Sequence, residues 1–304
     1  MTSPSISNVQ RSFYEATGRQ RITALLDPNS FHEWIGPRER VTSPHLKLFD
    51  IPVSFDDGVI VGQGTLDSKR VFIVAQEGGF MGGAVGEVHG AKITGVLRRA
   101  LIERPQGVLL LLESGGVRLH EANAGLVAVS EILHALLALR TAGIPVIALI
   151  GGAYGCFGGM SIVAHCCNAS VISELGRIGL SGPEVIETVA GVEEFDSRDL
   201  ALVWRTVGGK SRYLLGDASR LVPDDLPAFR TAAMDALRQP RALDMENLER
   251  DQERLSMRLN FYGDCKDAEE IWSRMGIISS RQVALLDEEE LVELAQSLPN
   301  RKVI

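Results

Sequence analysis

The chain has 304 residues, 45% of them hydrophobic and 23% charged; these are ordinary globular proportions that exclude wholesale disorder and allow a sizeable core. Thirty-nine acidic against 31 basic residues leave a net charge of −8, which argues against a generalised nucleic-acid binder. Four cysteines without a C-x-x-C pair rule out a four-thiolate zinc module and a disulfide framework, and the absence of an apolar leader after Met1 predicts a reduced, cytoplasmic protein.

In chain order, residues 1–50 read as a helical leader and a loop containing Pro37 and Pro44. Val59–Val61 and Val71–Ala75 are short β-branched runs and predict strands. A glycine-rich segment, residues 78–83, follows, and a helix is predicted from Val85 to Glu103. Val108–Leu112 is a continuous apolar run, the pattern of a strand buried on both faces. It runs into Glu113-Ser-Gly-Gly116, after which Leu126, Val129, Leu133 and Leu136 at helical spacing predict a long helix that stops near Gly143. The pattern then repeats. Val146–Ile150 predicts a second buried strand, a glycine run follows, Met160–Cys166 reads as a short apolar helix, and Val171–Ser173 as a third strand. Alternating strands and helices predict an α/β fold with parallel pairing.

Thr141 to Ser173 holds no Asp, Glu, Lys or Arg, a run long enough to span a bilayer. Its middle carries five glycines in nine residues, from Gly151 to Gly159, which makes a poor helix. A strand, a turn and a helix are expected there, and no membrane. Beyond Pro223 the chain becomes charge-rich, with helices predicted over Glu246–Arg258 and Asp287–Ser297.

The 31 glycines exceed the usual share of about 7%, and they cluster where strands meet helices, at Gly115/Gly116 and Gly158/Gly159. Backbone N–H groups at a helix start lack intrahelical partners and carry partial positive charge, and glycine lets a substrate approach them closely. Two such turns can hold two oxygens of one molecule, such as a thioester carbonyl and a carboxylate. Neither turn has the lysine of a phosphate-binding P-loop. No run fits the dinucleotide fingerprint, and Ser161 lacks the following glycine of a nucleophile elbow. Ser114 is expected to hydrogen-bond its own turn, Cys156 to be a buried thiol without an activating base, and His165 to be a satisfied core residue.

Residues 113–121, Glu-Ser-Gly-Gly-Val-Arg-Leu-His-Glu, resemble a segment of the acyl-CoA carboxyltransferases. Phe157-Gly-Gly-Met-Ser161 resembles their second glycine turn, and Ile178-Gly-Leu-Ser-Gly-Pro-Glu-Val-Ile186 a third motif. Gly58–Gly64, Gly82–Gly86 and Lys92-Ile93 have similar counterparts. With residues 206–213 and the tail included, the chain is most similar to the β subunits of biotin-independent malonate decarboxylases. Glu113, Val117 and His120 depart from the family's usual Asp, Ala and Gln.

The resemblance implies a crotonase-like spiral of ββα units in a single carboxyltransferase-like domain spanning 1–304: a leader over 1–50, a core over 51–222 and a helical extension over 223–304. It implies a carboxy-lyase acting on a malonyl thioester, with a γ subunit supplying a second lobe, an acyl-carrier (δ) subunit bearing a 2′-(5″-phosphoribosyl)-3′-dephospho-CoA arm, and an α transferase subunit. No biotin is expected on this chain, which lacks the Met-Lys-Met acceptor, and no zinc. Alternatives are the carboxyltransferase lobe of a biotin-dependent enzyme, or a non-catalytic scaffold.

On this reading the amides around Gly158 and Gly159 stabilise the enolate oxygen, and those around Gly116 and Val117 hold the leaving carboxylate. His120 is a candidate proton donor, beside water or a partner's group. Gly115, Gly82 and Gly83 are expected at the substrate, and Lys92, Lys210 and Arg212 at the arm's phosphates. Glu113 is expected to accept turn amides or to pair with Arg118.

Overall fold

A computed structural model describes residues 11–298. Its centre is a seven-stranded sheet. In chain order its strands are β1 (His32–Glu33), β2 (Val59–Leu66), β3 (Lys69–Gln76), β4 (Val108–Leu112), β5 (Val146–Ile150), β7 (Ala169–Ser173) and β9 (Arg220–Val222). They lie side by side in that same order. The first three pair antiparallel, and from β3 onward every pair is parallel. The hairpin between β2 and β3 turns on Asp67 and Ser68, both at positive φ, as a two-residue connection requires for its twist to match the strands.

The apolar runs predicted at β4 and β5 appear with the same bounds, and alternation along them explains why they are apolar throughout. Leu110, Leu112, Ala148 and Ile150 face one core with α3 (Glu87–Glu103), α4 (Ala124–Thr141) and α5 (Gly159–Cys166). Leu109, Leu111, Ile147 and Leu149 face a second core with α1 (Gly18–Leu25) and α9 (Leu226–Arg238). Helices cover both faces, so no polar row is needed. α4 is apolar enough by composition to cross a membrane, yet its Ala128, Val129, Ile132, Ala135, Leu136 and Leu139 are buried in the first core. The uncharged stretch from 141 to 173 resolves into β5, the two-residue strand β6 (Cys156–Phe157), α5 and β7.

The leader is tied into the body: β1 pairs with β2, and Phe13 stacks on Phe229 with ring centroids 3.9 Å apart. Residues 1–10 of that segment lie outside the described residues. After β7 come β8 (Ile178–Gly179), α6 (Pro183–Ala190), α7 (Leu200–Val207) and α8 (Gly209–Leu214); the extension carries α10 (Met245–Tyr262), α11 (Ala268–Met275) and α12 (Glu288–Ser297). α10 docks through its polar side, with Arg258 on Asp217 and Arg241 on Asp251, and leaves Met245, Leu248, Leu255 and Leu259 exposed.

Loops leaving the carboxyl ends of the parallel strands are stitched into a second, smaller ladder. β6 pairs with β8, and isolated bridges join Val85 to Val117 and Ser114 to Cys156. A long strand, a short second strand or bridge, and then a helix recur at β3–α3, β4–α4, β5–α5 and β7–α6. This is the crotonase-like ββα spiral.

Candidate active site

Ligands of open α/β sheets bind beyond the carboxyl ends of the strands, and there the two glycine turns meet. Gly158 has φ 63 and ψ −140, a conformation that side chains resist. A Cβ on it would stand 3.2 Å from Gly116 Cα, so the turns abut. The 81–83 loop joins them: Gly82 and Gly83 both have positive φ, Gly82 O accepts the Gly115 N–H at 2.8 Å, and a Cβ on Gly83 would overlap the Glu113 carbonyl oxygen.

The structure separates amides that are spent from amides that are free. Gly158 N–H donates to Leu180 O at 3.0 Å and is consumed, as is Gly115 N–H. Gly116 N–H has a 3.3 Å bond to Ser114 Oγ. Val85 bonds Gly116 O and receives Arg118 N–H, bypassing Val117. Among the described residues, Val117 N–H therefore has no acceptor, and neither do Gly159 and Met160, which open α5. Of the pair expected to face an enolate oxygen, Gly158 N–H is therefore spent and Gly159 N–H is not; Gly159 is half-buried, and Met160, the next unspent amide, belongs to a buried residue.

Only the second turn opens a helix directly. After Gly116 the chain makes a 3-10 turn, Leu119–Glu121, and α4 begins at Ala124, so the helix-start argument applies at α5 and not at the first turn. Rigidity at the first turn comes instead from the Val85–Val117 bridge and from Arg118. Its guanidinium is buried with Asp57 at 2.7 Å and Glu121 at 3.1 Å.

Other expected residues are placed as follows. Glu113 accepts the Tyr154 N–H at 3.1 Å, as expected of a turn-capping carboxylate, but its charge partner is Arg21 at 2.5 Å and not Arg118. Cys156 is fully buried and burial raises its thiol pKa, leaving it protonated. Ser161 Oγ donates to Gly158 O at 2.8 Å and braces the second turn. His120 is exposed on the 3-10 turn with its ring 6.4 Å from that of Phe49. His165 is exposed and not a core residue; its Nδ1 lies 2.7 Å from Ser161 O.

Each of the three residues expected at the phosphates has partners within the chain. Lys92 is buried, its ammonium donating to Asp56 O at 2.7 Å and Val59 O at 2.5 Å, and burial pulls its pKa down to about 8; it braces the loop before β2. Arg212 pairs with Asp217 at 3.0 Å. Lys210 binds Glu174 at 2.8 Å and Leu286 O at 2.7 Å, on the wall of a cavity of about 390 Å³ shared with Trp204 and Trp272. A second cavity, about 650 Å³, runs between α3 and α4. Neither is lined by Gly116, Val117, Gly158 or Gly159. Gly116, Val117, Gly158 and Gly159 are each half-buried, and the segments that follow the turns and the third motif carry exposed Leu119, Leu126, Ile162, Leu180, Val185 and Val189. Among the described residues no cluster of His, Cys, Asp or Glu could hold a metal ion.

Comparison with known proteins matches the carboxyl transferase domain family over residues 11–211. A malonyl-S-ACP:biotin-protein carboxyltransferase of Malonomonas rubra is 38% identical over 288 residues, 88% of this chain and 90% of that protein. The methylmalonyl-CoA carboxyltransferase 12S subunit of Propionibacterium freudenreichii is 30% identical over 72% of this chain, which spans 41% of that subunit's length. Among solved structures, a chain of a Pseudomonas malonate decarboxylase hetero-tetramer in complex with malonate superposes with a TM-score of 0.77 at 41% identity, covering 87% of this chain and 97% of that one. A Pseudomonas malonate decarboxylase hetero-dimer gives 0.65 at 39% identity, covering 81% and 97%.

Proposed function

This chain belongs to the carboxyl transferase domain family, and from that premise we propose that it is the decarboxylating subunit of a malonate-decarboxylase-type complex, converting a malonyl thioester on an acyl carrier to an acetyl thioester. The observation that carries the reading is the abutment of two glycine turns whose Val117, Gly159 and Met160 amides are unspent.

In this reading the thioester carbonyl oxygen sits against the Gly159 and Met160 amides at the start of α5, and the carboxylate lies over the Gly116–Val117 turn. The bond between the carboxylate carbon and the α-carbon breaks, carbon dioxide leaves, and the electron pair moves through the α-carbon onto the thioester oxygen. Backbone donors aimed at that oxygen favour the enolate over the ground state, each worth about 3 kcal/mol by analogy with oxyanion holes. The turn offers the carboxylate backbone dipoles and no full positive charge, which suits a group that must lose its charge. Protonation at the α-carbon by water or a partner's acid completes the turnover; His120 is the candidate from this chain.

Exposed apolar side chains on the segments next to the turns, such as Leu119, Ile162 and Leu180, support a second lobe from a γ-type subunit closing over them. The carrier's CoA-derived arm would enter between the two lobes, and an α-type transferase would load it. Such an enzyme works in the cytoplasm. A second reading, the carboxyltransferase lobe of a biotin-dependent system, is favoured by the name of the Malonomonas relative. Co-purification with the partner subunits, followed by assay of carbon dioxide release from malonyl thioester with and without avidin, separates the two. Release insensitive to avidin supports the proposal; strict biotin dependence, or no release from the assembled complex, rejects it.

A further inference from the structure

Glu113 stands at the point where three loops converge. Its backbone N–H donates to Gln76 Oε1 at 3.2 Å, and its carbonyl oxygen lies against Gly83 so closely that no Cβ fits there. Its carboxylate caps Tyr154 N–H in the second glycine loop. The same carboxylate lies where a Cβ on Gly78 would come within 2.6 Å, and where one on Gly152 would overlap it. The next residue, Ser114, starts the first glycine turn and exchanges backbone bonds with Gly155 and Phe157 of the second. One side chain thus touches the 78–83 loop and the 151–155 loop, while its own backbone begins the third.

The charge that holds this carboxylate comes from 92 residues upstream. Arg21 of α1 is 2% exposed, and its fork is fixed by Phe13 O at 2.8 Å and Tyr14 O at 3.3 Å. Its plane lies over the Phe13 ring at 4.7 Å, and Phe13 is stacked on Phe229 of α9. An ion pair buried this far from water needs good geometry on both sides, and here both partners are held by other elements. Both side chains are buried, so the role assigned to them is to position the turns and not to touch substrate.

We propose that Arg21 and Glu113 are positioning residues for the decarboxylation, a clamp by which the N-terminal helix sets the relative placement of the two glycine turns and thereby of the Val117, Gly159 and Met160 amides. The inference rests on the proposed decarboxylation. Displacing a catalytic group by about 1 Å costs on the order of 100-fold in rate, so the clamp acts on kcat and leaves thioester KM nearly unchanged.

The test uses the assembled complex carrying Glu113→Gln, Arg21→Met or the milder Arg21→Lys. Turnover is expressed per assembled complex, and hydrogen exchange is followed over residues 78–83, 114–117 and 151–158. Glu113→Gln and Arg21→Met are expected to lower kcat about 100-fold with KM within about twofold, and Arg21→Lys to recover about tenfold of that loss. Exchange should accelerate in the three loops and not in β4 or β5. If Glu113→Gln fails to assemble, Arg21→Lys carries the comparison alone. Unchanged kcat per complex, a loss confined to KM, or unchanged exchange in the loops overturns the clamp. Should the wild-type complex release no carbon dioxide from malonyl thioester, the decarboxylase reading falls, and the exchange measurement still decides whether the pair sets the turns.

Discussion

Gly158 and Gly116 stand back to back, with 3.2 Å between the position of a Cβ on the first and the Cα of the second. Gly158 also holds a backbone conformation open to glycine alone, at φ 63 and ψ −140. Gly158→Ala must therefore push the turns apart or unwind the start of α5, and either movement displaces the Gly159 and Met160 amides. Loss of one oxyanion donor costs on the order of 100- to 1000-fold in kcat, and the variant is expected in that range with the complex still assembled. Turnover within threefold of wild type in a correctly assembled complex would remove the enolate-oxygen assignment.

His120 offers a sharp contrast. Its ring is exposed and packs beside Phe49, so its contribution can be read without disturbing the core. General-acid catalysis by a positioned side chain contributes roughly 100- to 10,000-fold. With water or the partner lobe supplying the proton, His120→Gln is expected to keep kcat within about threefold. A 100-fold fall in the rate of acetyl thioester formation would identify His120 as the donor after all.

How much of this was legible in the sequence follows the range of the interaction concerned. Val108–Leu112 and Val146–Ile150 announce themselves because both faces of each strand are buried, which leaves an uninterrupted apolar run. β2 and β3 extend beyond their β-branched centres to polar ends such as Lys69 and Arg70, which are exposed, so their true lengths were hidden. The two-residue strands β6 and β8 are too short for any periodicity. The glycine turns were visible as clusters; which amides they leave free was not, because the acceptor for Gly158 N–H is Leu180 O, 22 positions along the chain. The partner of Glu113 lies farther still, at Arg21, and no local pattern points there. Lys92 reads as a phosphate contact in the sequence, and only the fold shows its ammonium turned inward on two carbonyls.

Cys156 separates covalent from electrostatic catalysis. It lies two residues before Gly158, fully buried, and burial pushes its thiol toward the neutral form, so the nucleophilic thiolate is scarce at any working pH. Cys156→Ala is expected to leave kcat per complex within about twofold, at a stability cost of about 1 kcal/mol for the lost packing. Progressive inactivation by iodoacetamide that tracks alkylation of Cys156 would contradict the assignment.

Arg118 is the residue whose loss the fold should tolerate least. Its side chain and those of Asp57 and Glu121 are fully buried, and it also donates to Asp57 O and Ala84 O. Removing one partner of a buried ionic cluster costs about 3–5 kcal/mol, a large share of the 5–15 kcal/mol that holds a typical domain together. Arg118→Met is expected to yield little folded chain, seen as loss of soluble complex and of a cooperative unfolding transition. Recovery of a complex as stable as wild type would show that the cluster contributes nothing net.

His89 gives the fold an acid limit. The imidazole is fully buried, with Nδ1 3.1 Å from Asp57 O and Nε2 3.1 Å from the Gln76 amide nitrogen. Because Gln76 Oε1 accepts the Glu113 N–H, its NH₂ faces the ring, so Nε2 accepts and Nδ1 carries the proton. Burial, and then the nearby Arg118 charge, hold the ring neutral and pull its pKa down to about 3. In the unfolded chain the same group protonates near pH 6.5, so between those values the unfolded state binds more protons. The stability contribution is fully present above pH 6.5 and is lost as the pH falls toward 3, at roughly 1.4 kcal/mol per unit. By pH 4.5 that amounts to about 3 kcal/mol. His89→Gln lacks the titrating group, and its urea midpoint should fall less between pH 7 and pH 4.5 than that of the wild type. Parallel acid slopes for the two proteins would show that His89 is protonated in the folded state, and the buried neutral tautomer would have to be abandoned.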